Sequence, residues 1–251
     1  MPPGDFSNQF DFPAINMAAA HNMFIQGVNA MATHAPYVTD KKVQPFMLFC
    51  LTVLGNIHHH HRIEETFYFE ALEKKLGEGY LTESKDEHET FVPQIEATES
   101  WLEDVRDGKT KYLGSTLLAQ INSWADDMVH HLNHEIEKLD RNKIKECFTE
   151  KELKAIDSEF MKVALKDANF YTSLPMVLIC GNPATPWRVF LSFSNGNMNL
   201  SNGCVYLRFP PFPLPLIWAI RYWYSRRHRE AWEFGPLDLN GKVKPLPSSP
   251  K

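Results

Sequence analysis

The chain has 251 residues, of which 43% are hydrophobic and 23% charged, with a formal net charge of −5. These proportions suit one large globular domain, or a domain with an appendage, and exclude wholesale disorder, a collagen-like repeat and a disulfide-stapled scaffold. The acidic balance disfavours nucleic acid as a partner. Four scattered cysteines, Cys50, Cys147, Cys180 and Cys204, show no Cys-x-x-Cys spacing, which points to a reducing compartment.

Residues 1–13 read as an N-terminal arm without the basic start and apolar run of a secretory signal. A first helix is expected over 14–34, where Ala14, Met17, His21, Phe24, Val28 and Met31 recur at spacings of three and four. A second is expected over 44–76, with Phe46, Cys50, Val53, Ile57, His60, Glu64, Phe67 and Ala71 on one face and Gly77 after its end. A third spans 84–107, opened by Ser84 and Glu87 as a capping box, with Pro93 predicting a kink one turn after His88. A fourth spans 115–139, with Leu117, Ile121, Trp124, Met128, His131, Glu135 and Leu139 in register.

The fold class predicted is therefore all-α, an antiparallel four-helix bundle over 14–140. Residues 141–180 add a further helix from about Thr149 to Ala168 and an extended apolar segment from Leu174 to Cys180, packed on the bundle. Residues 181–251 form a C-terminal extension with a helix over 216–232 and a loose tail. Within it, 189–207 is uncharged and rich in Asn, Ser and Gly, and its removal would join two Pro-rich flanks. It reads as a retained intron or, if translated, as a loop. The longest apolar run, Phe212 to Trp223, is too short and too interrupted to span a bilayer, so no transmembrane segment and a cytoplasmic location are expected.

Histidine is over-represented: there are 11, and seven fall in two clusters, His58 to His61 and His130, His131 and His134. Each bundle helix places one histidine on its apolar face: His21, His60, His88 and His131. His60 and His131 are each followed four residues later by a glutamate, Glu64 and Glu135, on the same face. Two carboxylates inside a helical bundle require compensation, and no Lys or Arg accompanies them on these faces, so a metal is the economical partner. Four imidazoles and two carboxylates suit iron, manganese or zinc, and a bridging carboxylate makes a dinuclear site feasible. In the tetrahistidine run His58 and His59 read as solvated, while His61 stays open as a neighbour of His60. His130 and His134 read as flanking, with His130 also able to converge on Glu135.

The stretches AAHNMFIQGVNAM, HHHHRIEETFYFEAL, KDEHETF and HHLNHEIEKL, in that order, resemble the hemerythrin-like (HHE cation-binding) domain family over about Ile15 to Leu139. The resemblance implies a bundle holding a non-haem di-iron centre with bridging glutamates, and His21, His60, Glu64, His88, His131 and Glu135 as ligands. It implies dioxygen or a related small molecule, or iron itself, as the ligand bound or sensed. Two departures weigh against reversible oxygen transport. Val92, followed by Pro93, stands where oxygen carriers place a second histidine in the third helix, and Glu135 follows His131 by four residues instead of five. One iron would lack a nitrogen ligand unless His61 or water substitutes.

No residue is assigned as catalytic, and Asn22 and Tyr68 are candidates for orienting ligands. The alternatives are a di-iron oxidase or peroxide-consuming enzyme, and a non-catalytic interaction protein. The extension is similar to those of fungal members of the family. Its segment 208–229 carries five arginines, no acid and the aromatics Trp218, Tyr222, Trp223 and Tyr224. The preferred reading docks this aromatic face on the bundle. Weak contact with a membrane surface or a protein is the alternative.

Overall fold

The computed structural model describes residues 4–5, 7–181, 186–188, 206–208 and 213–247. Helices α1 (Phe12–His34), α2 (Val43–Ile63), α3 (Phe69–Leu76), α4 (Thr82–Arg106), α5 (Gly114–Asn122) and α6 (Ala125–Lys138) build the bundle. The packed pairs α1–α2, α2–α4, α4–α6 and α6–α1 close a four-membered ring. Phe46, Phe49 and Ile57 of α2, Phe91 and Ile95 of α4 and Trp124 before α6 fill its centre, each fully buried or nearly so. Burial of each such side chain contributes roughly 1.5–3 kcal/mol.

Three of the four predicted rods need correction. The second is helical throughout, but Glu64–Tyr68 winds as a π turn between α2 and α3. The third continues through Pro93, which lies on the exposed side, so the carbonyl it leaves without a donor can face water. Its predicted capping box does not form. Ser84 is buried inside α4, Glu87 bonds to histidines of α6, and Glu73 Oε1 instead accepts from the Leu81 N–H. The fourth rod breaks at Ser123–Trp124, where the indole turns inward and its Nε1–H donates to Thr98 Oγ1 at 3.1 Å.

Beyond the bundle, Asp140 caps the unanticipated α7 (Arg141–Cys147), its carboxylate accepting from the Asn142 and Lys143 N–H groups. Helix α8 (Glu150–Lys166) opens with a formed Thr149–Glu152 capping box. With α3 these helices enclose a second apolar cluster that includes Met17, Phe69, Leu72 and Leu139. The segment expected to be extended is helical, α9 (Ser173–Cys180), packed on α1 and α2. An apolar octapeptide has no period to separate helix from strand, and packing decided for helix.

The helix expected over 216–232 is shorter. Helix α10 (Leu214–Tyr222) gives way to two 3-10 segments, Tyr224–His228 and Ala231–Phe234. Two three-residue strands, β1 (Pro186–Arg188) and β2 (Tyr206–Arg208), pair antiparallel, Trp187 opposite Leu207. Most of the expected loop, residues 189–205, lies outside the described residues. The tail is tied down as far as Lys244, whose ammonium donates to the Trp232 and Glu233 carbonyls, both at 2.9 Å. The aromatic face of α10 is not docked on the bundle. Trp218, Tyr222 and Trp223 are exposed, and Ile220 makes the inward contact. Among the described residues, no helix is long and apolar enough to cross a membrane.

Candidate metal centre

The six predicted residues converge in the middle of the bundle, all buried, and His61 joins them. They form two nests. His61, His88 and His131 each present a ring nitrogen within 4.8 Å of the others, and His21, His60, Glu64 and Glu135 do the same. The ring of helices explains why adjacent residues of α2 serve different nests. Side chains one residue apart diverge by about 100° around a helix. α2 packs between α1 and α4, so His60 meets His21 of α1 while His61 meets His88 of α4. His130 joins neither nest and stacks on His134, at 6.1 Å between centroids. His58 pairs with Glu99 at 2.9 Å, and His59 Nε2–H donates to the Ala164 carbonyl at 3.1 Å.

The outer partners set the tautomers. His21 Nδ1–H donates to the Leu132 carbonyl at 2.8 Å. His88 Nδ1–H donates to Glu65, and His131 Nδ1–H to Glu87 Oε2 at 3.0 Å. Each of these rings therefore turns its Nε2 inward. His88 Nε2 and His131 Nε2 face each other at 2.9 Å, and His21 Nε2 and His60 Nε2 at 3.1 Å. As neutral rings, His88 and His131 would face each other lone pair to lone pair, and a cation between them would relieve that repulsion. Two donors about 2.1 Å from one ion, at right angles to each other, stand about 3.0 Å apart. The nitrogen separations match that edge.

The carboxylates complete the set. Glu64 Oε1 is 2.9 Å from His60 Nε2. Glu135 Oε2 is 3.3 Å from His21 Nε2 and 3.8 Å from His131 Nε2, and so reaches both nests. Neither carboxylate accepts a hydrogen bond, and neither ring nitrogen of His61 has a hydrogen-bond partner. Leaving so many buried polar atoms unpaired costs about 1–3 kcal/mol each in the metal-free chain. This donor set fits a cation.

Protonation agrees. Burial, then the neighbouring imidazoles, holds His60 and His61 well below the usual histidine range, and burial takes His131 to about 4. All three are neutral and free to donate lone pairs near pH 7. Burial and the facing Glu135 raise Glu64 well above the carboxylate range.

Glu65 and Glu87, which position His88 and His131, were missed as orienting groups. Glu87 bonds to His134 Nδ1 as well, at 2.6 Å, and these bonds hold it below its usual value despite partial burial. The available signal was adjacency: Glu65 follows Glu64, and Glu87 precedes His88. Tyr68, named from the sequence, is buried, and burial, then the charges of Asp157, Glu135 and Glu64, raise its phenol well above the usual range. Asn22 lines a cavity of about 600 Å³ between α1 and α6. Ala18, Ile25, Leu132 and Ile136 form its walls, and it reaches His21.

Comparison with known proteins accords with this geometry. The chain is 25% identical over 237 residues to the Dimeric xanthone biosynthesis cluster protein R11 of Cryptosporiopsis sp. (strain 8999), covering 94% of this chain and 82% of that protein. The similarity thus extends past the bundle into the C-terminal region. No solved structure matches. The Hemerythrin HHE cation binding domain matches residues 14–139, from the first bundle helix to the end of the last, and the chain belongs to that family.

Proposed function

We propose that the chain holds a dinuclear non-haem iron centre, and that this centre binds or senses dioxygen or iron. His61, His88 and His131 would hold one ion, and His21, His60 and Glu64 the other, with Glu135 within reach of both. The observation that carries this reading is the approach of His88 Nε2 and His131 Nε2 to 2.9 Å, beside two buried carboxylates without hydrogen-bond partners. The nitrogen and oxygen donors, with no thiolate among them, suit iron or manganese. His61 supplies the nitrogen that the third helix lacks at Val92.

When bound, the ions supply redox change and open positions for a small ligand. The protein orients the imidazoles through Leu132, Glu65 and Glu87 and keeps bulk water out of the core. The cavity against His21 offers small molecules an approach.

A second reading, a di-iron oxidase or peroxide-consuming enzyme, is favoured by that cavity and by the relative's place in a biosynthesis cluster. Metal analysis with absorption spectra under oxygen and under nitrogen tests the proposal. About two irons per chain and an oxygen-dependent spectrum are expected. Less than about one ion per chain after aerobic purification with iron supplied overturns it. Oxygen or peroxide consumption above that of a His60→Ala variant selects the second reading.

A further inference from the structure

Helix α10 has two unlike faces. Ile220 packs inward with Leu174. Leu214, Trp218 and Tyr222, spaced by four, line the outer face, and Trp223 follows. They are 65%, 64%, 49% and 69% exposed. Phe170 is exposed as well and touches the Tyr224 ring. Five of the ten large apolar side chains exposed among the described residues therefore gather around one short helix. Such clustering marks an interaction site.

The next turn is basic. Arg226, Arg227 and Arg229 are exposed, and none has a carboxylate partner among the described residues. Arg227 lies 5.1 Å over the Tyr171 ring, which itself touches Tyr224, so the basic turn is continuous with the aromatic patch. A hollow of about 390 Å³, lined by Gln44 and these three arginines, opens beside the start of α2. Glu230 borders it, but Lys42 holds that carboxylate at 2.9 Å. The hollow therefore keeps its positive charge.

We infer that this face docks on an anionic phospholipid surface. Tryptophan and tyrosine settle at the boundary between headgroups and acyl chains because each joins an apolar ring to a polar handle. The guanidinium fork matches phosphate geometry, and the unpaired arginines complement the negative headgroups. The protein as a whole carries −5, so the attraction is local to this face. A second copy of the chain is the poorer occupant. A two-fold interface on this face would bring the same unpaired arginines together.

The test is co-sedimentation of the full-length, metal-loaded protein with vesicles. Phosphatidylcholine alone is compared with phosphatidylcholine containing about a third phosphatidylserine. Binding to the anionic vesicles alone, weakened by salt, is expected. Each arginine near such a surface is worth about fivefold, so R226Q/R227Q/R229Q should lower partitioning on the order of 100-fold. W218S/W223S should weaken it too, with the thermal transition unchanged because Ile220 still packs. Equal or absent binding to the two vesicle types overturns the inference, as does binding that neither variant affects. A dimer in lipid-free solution that W218S/W223S dissociates, without any vesicle binding, reassigns the face to self-association.

Discussion

His61 is buried with both ring nitrogens unpartnered, an arrangement that disfavours the metal-free fold and that the proposed centre would relieve by taking a lone pair. His61→Leu should therefore raise the stability of the metal-free protein by about 1–3 kcal/mol and lower its metal content. Thermal melts with and without metal, paired with metal analysis, check both signs. The two adjacent glutamates should also separate. Glu64 faces His60 directly, whereas Glu65 acts through His88. Glu64→Ala should lose more metal than Glu65→Ala, for which a roughly 10- to 100-fold loss of affinity is expected. Equal losses in a metal titration would contradict the assignment. Glu64 could be picked out in the sequence because its spacing from His60 is helical. For Glu65 the sequence offers only its adjacency to Glu64, because its partner His88 lies on another helix.

The π turn at Glu64–Tyr68 sits where α2 delivers its carboxylates. Such insertions recur at functional sites because the wider turn re-aims successive side chains. Here Glu64 reaches one nest and Glu65 the back of the other. Apolar periodicity continues through the segment, so no sequence signal betrays it. The start of α5 is fixed differently. A Cβ at Gly114 would lie 2.2 Å from the Ala35 carbonyl oxygen, which also accepts from the Tyr112 hydroxyl at 2.8 Å. Backbone cannot yield as a flexible side chain does. Gly114→Ala should cost about 2–4 kcal/mol in chemical denaturation, although alanine is the better helix former. An unchanged midpoint would mean that the α1–α5 junction is looser than the structure has it.

Across the whole molecule, the proposed ligands come from four helices, so metal binding would be coupled to folding. Chelation should lower the melting temperature, since an ion at 100 times its dissociation constant adds about 2.7 kcal/mol to the folded state alone. Stability should also depend on pH through α8. Burial raises the Asp157 carboxyl to about 7, although Gln9 donates to it at 2.7 Å. Between its ordinary value of 3.8 and about 7 the folded state holds a proton that the unfolded state has released. Stability from this group is therefore full at low pH and falls as pH rises through that window. Asp157→Asn should flatten this part of the stability profile and make the protein more stable at neutral pH. A profile identical to that of the parent chain would remove Asp157 as the cause.

Local spacing alone determined that the chain forms a helical bundle and that His21, His60, Glu64, His88, His131 and Glu135 lie on its inward faces. Helical period and the cost of a buried charge act within one element and can be read along it. Tertiary structure decided the rest: His61 as the third nitrogen of its nest, Glu65 and Glu87 behind the imidazoles, α9 as helix, and the aromatic face of α10 left in solvent. Each of those depends on which helix stands beside which. That is set by the packing of the entire bundle, and no single segment carries the information.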